Sequence, residues 1–145
     1  MTPNPKSPLV EHIREASALS RTLFRSCSMS NELFKPITSE IASFRVGLEM
    51  IEDDVMDASL YEEHHTKLQS LVSESYEVLL ALQALLNYYD TLPTASQLSW
   101  ERLDASAAQV NGIKEQLRAN VQLLTSFTSS LSRYVMDLII HTHKF

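Results

Sequence analysis

Glu62, Glu63, His64 and His65 are the residues best suited by type and spacing to chemistry. Glu62 and His65 stand at the Glu-x-x-His interval with which helical bundles hold paired iron or manganese ions, because positions three apart share a helix face. That chemistry also needs a second Glu-x-x-His and two further inward carboxylates. No other Asp or Glu in the chain has a His three residues later. The set is incomplete, and His65 reads as a core-end histidine, one turn after Tyr61 on an apolar stripe. His141 and His143 could hold a soft divalent metal weakly, but no Cys or acid stands beside them. With Lys144 they read better as a cationic finish to a helix, which its dipole favours. Cys27 is the only cysteine. It excludes a disulfide framework and a Cys-based zinc site, and with no activating base nearby it reads as a buried small residue. Gly-x-Ser-x-Gly, the phosphate-binding P-loop and His-Glu-x-x-His are all missing from the sequence. The expectation is a non-enzymatic protein with no catalytic, cofactor-binding or metal residue.

Composition narrows the rest. A chain of 145 residues suits one domain that buries roughly two-thirds of its unfolded surface. Its 44% hydrophobic content is too high for a disordered tail, and two Gly are too few for a fold built on tight turns. A net charge of −6 leaves no basic excess to displace counterions from phosphates, so nucleic acid is not an expected partner. The polar, Pro-rich start has no apolar core of a signal peptide, and no run approaches a membrane span. A soluble, cytoplasmic protein is the expected setting.

The elements that must position any functional surface are helices. Ile37, Ile41, Phe44, Leu48, Ile51 and Val55 step by three and four, which lines one stripe of a helix. Leu68, Val72, Ser75, Leu79, Leu82, Leu86 and Tyr89 do the same, widened by Leu71, Val78 and Leu85. A third stripe runs from Trp100 through Leu103, Ala107, Val110, Leu117, Val121, Leu124, Leu131 and Val135 to Leu138. The shortest is Leu9, Ile13, Ala16, Leu19, Leu23 and Cys27. Punctuation by Ser7-Pro8, Ser28 or Ser30, Pro36, residues 57–60 and Leu92-Pro93 predicts helices over about 8–27, 31–57, 60–90 and 97–140. Residues 1–6 and 142–145 read as frayed ends. Period-two alternation is too brief anywhere to make a strand. Short connections then predict an all-α protein, an antiparallel up-down four-helix bundle forming a single domain. A last helix of about 67 Å outruns its neighbours, so it must overhang or bend, and the hydroxyls of residues 125–130 are the place to bend.

Charge is uneven along these helices. Residues 1–29 carry four basic and two acidic groups, and residues 30–66 carry two basic and nine acidic ones. A basic first helix should therefore pair modestly with an acidic second. Residues 119–140 are different: Arg133 and Asp137 are their only charges. Such a segment is either packed centrally or offers an apolar end to another chain. On the second reading Phe127, Leu131, Tyr134, Val135, Leu138 and Ile139 form the interaction surface. A membrane-surface helix would want Lys and Arg on its polar face, where this one has Ser and Thr.

Three stretches resemble a helical domain found at the N-termini of filamentous-fungal proteins, similar to the HeLo-like group. They are residues 77–92 (EVLLALQALLNYYDTL), the run WERL at 100–103 with IKEQLRANVQLLTSFTSSL at 113–131, and PITSEIASFRVGL at 36–48. The resemblance spans roughly residues 30–132. It implies a signalling or adaptor module of innate-immunity-like or cell-death pathways that acts through protein contacts or self-association. The family's usual opening helix is apolar and Ala-rich. Here His12, Arg14, Glu15, Arg21 and Arg25 stand on it instead, which moves the expectation from membranes towards protein partners. The alternative the resemblance leaves open is a membrane-targeting cell-death effector.

Overall fold

A computed structural model describes residues 8–30, 32–57 and 62–142, apart from the side chains of 54–57, 62, 63, 132, 134, 135, 138, 139, 141 and 142. Five α-helices follow one another: α1 (Pro8–Met29), α2 (Thr38–Asp57), α3 (Glu62–Thr91), α4 (Thr94–Glu101) and α5 (Asp104–Thr142). A 3-10 turn over Lys35–Ile37 leads into α2. Every regular element among the described residues is helical. The expected frayed ends, 1–6 and 143–145, lie outside the described residues, as do 58–61 between α2 and α3; residue 142 itself closes α5.

Two helices differ from their expected limits, each for a local reason. The second starts at Thr38 rather than near residue 31, because Pro36 has no N–H to donate and disfavours helical geometry at Lys35. The chain makes one tight turn there instead, and Ile37 N–H donates to the Phe34 carbonyl at 3.2 Å. That turn drives Phe34 into the core, where it is fully buried. The fourth expected helix, 97–140, is two helices. α4 stops at Glu101, Arg102 and Leu103 lie between, and α5 begins at Asp104. Ser106 secures the corner, since its hydroxyl reaches the carbonyls of Trp100 (2.6 Å) and Leu103 (2.7 Å).

The core is one cluster in which the apolar stripes meet. Ile37, Ile41, Phe44, Leu48 and Ile51 are all fully buried, as are Leu68, Val72, Leu79 and Leu82. Ser20 and Ser75 are also inside, at helix positions where their hydroxyls donate to the carbonyls of Ala16 (2.7 Å) and Leu71 (2.8 Å). Each buried hydroxyl is thereby satisfied by its own preceding turn.

α1 packs on α2 and α3, and α5 packs on the same two helices from the other side. The main helical partners of α2 are thus α1 and α5, rather than its chain neighbour α3. Two contacts fix the register of α2 against α5: Arg118 pairs with Glu40 at 3.1 Å, and Gly47 backs onto Leu124. Both residue numbers ascend, so these two helices run the same way. α3 and α5 run oppositely, since His64 near the start of α3 faces Phe127, while Tyr89 near its end meets Glu101, the last residue of α4 just before α5 begins. The expected pairing of basic α1 with acidic α2 is present as Arg14–Glu52 at 2.6 Å. Such exposed pairs add at most about 1 kcal/mol each.

Candidate interaction surface

α5 carries the surface because it is longer than what it packs against. Beyond the His64–Phe127 contact, two residues of α3 remain and fifteen of α5. Beyond the Gly47–Leu124 contact, ten residues of α2 remain and eighteen of α5. At the helical rise, α5 therefore runs about 20 Å past the first described residue of α3 and about 12 Å past the last described residue of α2. Overhang, one of the two expected outcomes, is what these registers give. α5 is one continuous helix through residues 125–130.

The hydroxyls in that stretch do something else. Thr125 donates to the Val121 carbonyl and Thr128 to the Leu124 carbonyl, each at 2.9 Å. Their inward bonds and the small size of Ser126, Ser129 and Ser130 leave room on both flanks of the helix. On the α3 side lies a groove of about 860 Å³, with Leu71 and Phe127 in its floor, Leu123 on its rim, and Ser70, Ser126 and Ser130 along it. On the α2 side lies a smaller one of about 460 Å³, lined by Gly47, Met50, Thr125, Thr128, Ser129 and Arg133.

The expected surface residues divide. Phe127 and Leu131 are 5% and 4% exposed and belong to the core, Phe127 also forming part of the floor of the larger groove. The side chains of Tyr134, Val135, Leu138 and Ile139 lie outside the described residues. Met136 and Ile140, which were not among the residues singled out, are 56% and 50% exposed. They are four apart and share a face. Val46 and Met50 of α2 are exposed too, and Met50 lines the smaller groove. The signal for Met136 and Ile140 was in the spacing: Leu117, Leu124 and Leu131 define the buried line, and a residue five or nine positions after Leu131 falls well off it.

Of the chemically suggestive side chains, His64, His65 and Cys27 are described. Glu62, His141 and His143 lie outside the described side chains, so neither the Glu62–His65 nor the His141–His143 spacing is tested. His64 sets its ring edge-on to Phe127 with centroids 6.3 Å apart, and His65 is half-buried. Among the described residues, no three His, Cys, Asp or Glu side chains come together as metal ligands would. Cys27 is fully buried, and burial pushes its thiol up to about 12 from the ordinary 9.0. A thiol held protonated at neutral pH is a poor nucleophile. Among the described residues no helix is long and apolar enough to cross a membrane.

No protein-family model, no curated protein and no solved structure matches this chain.

Proposed function

We propose that this protein acts by contact, as a non-enzymatic interaction or signalling module whose working surface is the free end and flanks of α5. The observation that carries the proposal is the overrun of α5 beyond α2 and α3 with Met136 and Ile140 left half-exposed on it. Exposed apolar side chains on a projecting helix gain by burial against another chain, at about 25 cal/mol per Å² covered. The occupant is a protein partner or a second copy, which fits the resemblance to HeLo-like signalling domains.

In this proposal the four long helices form an up-down bundle with alternating directions. The α2/α5 and α3/α5 registers support that arrangement. Consecutive helices then need not be neighbours, because α2 and α3 stand across the core. The bundle serves as a rigid handle, and α5 is the part that reaches.

Light scattering across concentration tests the proposal alongside capture of partners on immobilised protein. Each is run with wild type and with Met136→Lys/Ile140→Lys. Both positions are exposed, so the change spares the core, whereas Leu131→Lys would place a charge inside it. The expected result is self-association or a retained protein that the double substitution abolishes. A monomer at every concentration, with the same proteins retained by both forms, overturns it.

A further inference from the structure

The other end of α5 joins α4, and α4 is built unlike every other helix in the molecule. Its eight residues make two turns, far short of the length at which an isolated helix holds itself together. None of its side chains is fully buried. Its first N–H groups have no side-chain cap, since Pro93 stands at the N-cap. Breaks flank it on both sides, at Leu92-Pro93 and Arg102-Leu103. Such a segment stays helical only through what it touches.

Among the described residues those contacts centre on one ring. Trp100 stacks on Phe34 with centroids 6.2 Å apart and planes 15° from parallel. It also lies 5.5 Å from the Tyr89 ring and 6.3 Å from the Tyr88 ring. Around it, Gln97 Nε2 donates to the Tyr89 carbonyl at 3.0 Å, and the Tyr89 hydroxyl donates to Glu101. Trp100 is thus the lid on Phe34 and Tyr89, which are 0% and 7% exposed.

We propose that α4 is a strap that opens as a unit while the remaining helices stay packed, and that its release uncovers an aromatic surface formed by Phe34 and Tyr89. This device is independent of the α5 free end, which lies at the opposite end of the same helix. The physical ground is the contrast in anchoring: α1, α2, α3 and α5 each bury a full stripe, whereas α4 buries no side chain fully and is anchored through the Trp100 ring, the Gln97 and Glu101 bonds to Tyr89, and the Ser106 hydroxyl on the Trp100 carbonyl. Segments of this kind open at a lower free energy than the whole fold.

Amide hydrogen exchange on the intact protein, followed peptide by peptide across a denaturant series, tests the strap. Amides of 97–101 are expected to exchange at least about a hundredfold faster than those near Leu82 and Leu117, with little dependence on low denaturant. Gln97→Ala/Glu101→Ala removes both side-chain bonds and puts better helix formers in their place. It should speed α4 exchange about tenfold and leave the Leu82 and Leu117 regions unchanged. Trp100 is the chain's only tryptophan, so its emission reports the closed state. It is expected to be blue-shifted relative to free indole in water in both forms. Three results overturn the proposal: α4 amides that exchange in step with the core, α4 rates that ignore the double substitution, or a water-exposed emission in the wild type.

Discussion

The chain's two glycines, Gly47 and Gly112, sit in helix interiors with ordinary helical backbones, and they make a matched experiment. Replacing a helix-interior Gly by Ala gains about 1 kcal/mol in helix propensity. At Gly112 a new Cβ meets nothing within 4 Å, so the gain should appear undiminished. For a domain of this size that is a rise in Tm of about 3 °C. At Gly47 the same Cβ would come within 2.8 Å of Leu124 Cδ2 and 3.5 Å of its Cγ. Leu124 is 1% exposed and has little room to withdraw, and overpacking a core typically costs 1–3 kcal/mol. Gly47→Ala should therefore lose about 1 kcal/mol net, lowering Tm where Gly112→Ala raises it. Combining Gly47→Ala with Leu124→Ala removes the clash. In that background Gly47→Ala should become stabilising, a coupling that a double-mutant cycle in urea measures. If Gly47→Ala raises Tm as far as Gly112→Ala in the wild-type background, α2 and α5 do not approach as closely as described. The register that makes α5 overhang would then fail with it.

Other consequences follow from single buried groups. Phe34→Ala should cost about 3–5 kcal/mol by denaturant unfolding, although the residue lies in a connection, because the side chain is fully buried. Cys27 should make stability fall at high pH. Its thiol ionises near 9.0 in the unfolded chain but near 12 in the folded one, so above pH 9 the unfolded state binds fewer protons and gains. That contribution is complete below pH 9 and shrinks by about 1.4 kcal/mol for each pH unit up to about 12. Cys27→Ala should remove this slope in urea titrations at pH 8, 9 and 10, and an unchanged slope would place the thiol in water. Dye-loaded anionic vesicles should stay intact with the protein, since the apolar stripe of α1 (Leu9, Ile13 and Leu23) is buried in the core and is not offered to lipid. Leakage would favour a membrane effector over an interaction module.

How far the sequence could be read depended on how the physics is encoded. The α2 and α3 stripes were legible because their burial is a strict three-four repeat: Ile41, Phe44, Leu48 and Ile51 are all inside, as are Leu68, Val72 and Leu79. On α1 the same rule placed Leu19 inside, yet Leu19 is half-buried and Ser17 and Ser20 are buried instead. A hydroxyl that bonds its own preceding turn travels inward without a hydrophobic signature. The α4–α5 corner was missed because no Pro or Gly marks it between Glu101 and Asp104, and a Ser106 hydroxyl that bonds the Trp100 and Leu103 carbonyls leaves no distinct signature in the sequence. At the same corner Trp100 packs over Phe34, a tertiary contact that periodicity does not reveal. Within residues 119–140, apolar content did not separate buried Phe127 and Leu131 from exposed Met136 and Ile140. The charge-poor run mixes core and exposed positions, and only the helix angle separates Leu131 from Met136 and Ile140.

Thiol labelling at the tip of α5 tests the central claim most directly. With Cys27 buried and protonated, Ile140→Cys carries the one fast-reacting thiol, and Glu77→Cys on exposed α3 surface is the control. In the complex that the wild type forms, with a second copy or a retained partner, labelling at residue 140 should slow at least about tenfold while residue 77 keeps its rate. Equal rates at residue 140, free and in complex, would contradict the account and place the contact elsewhere on the molecule.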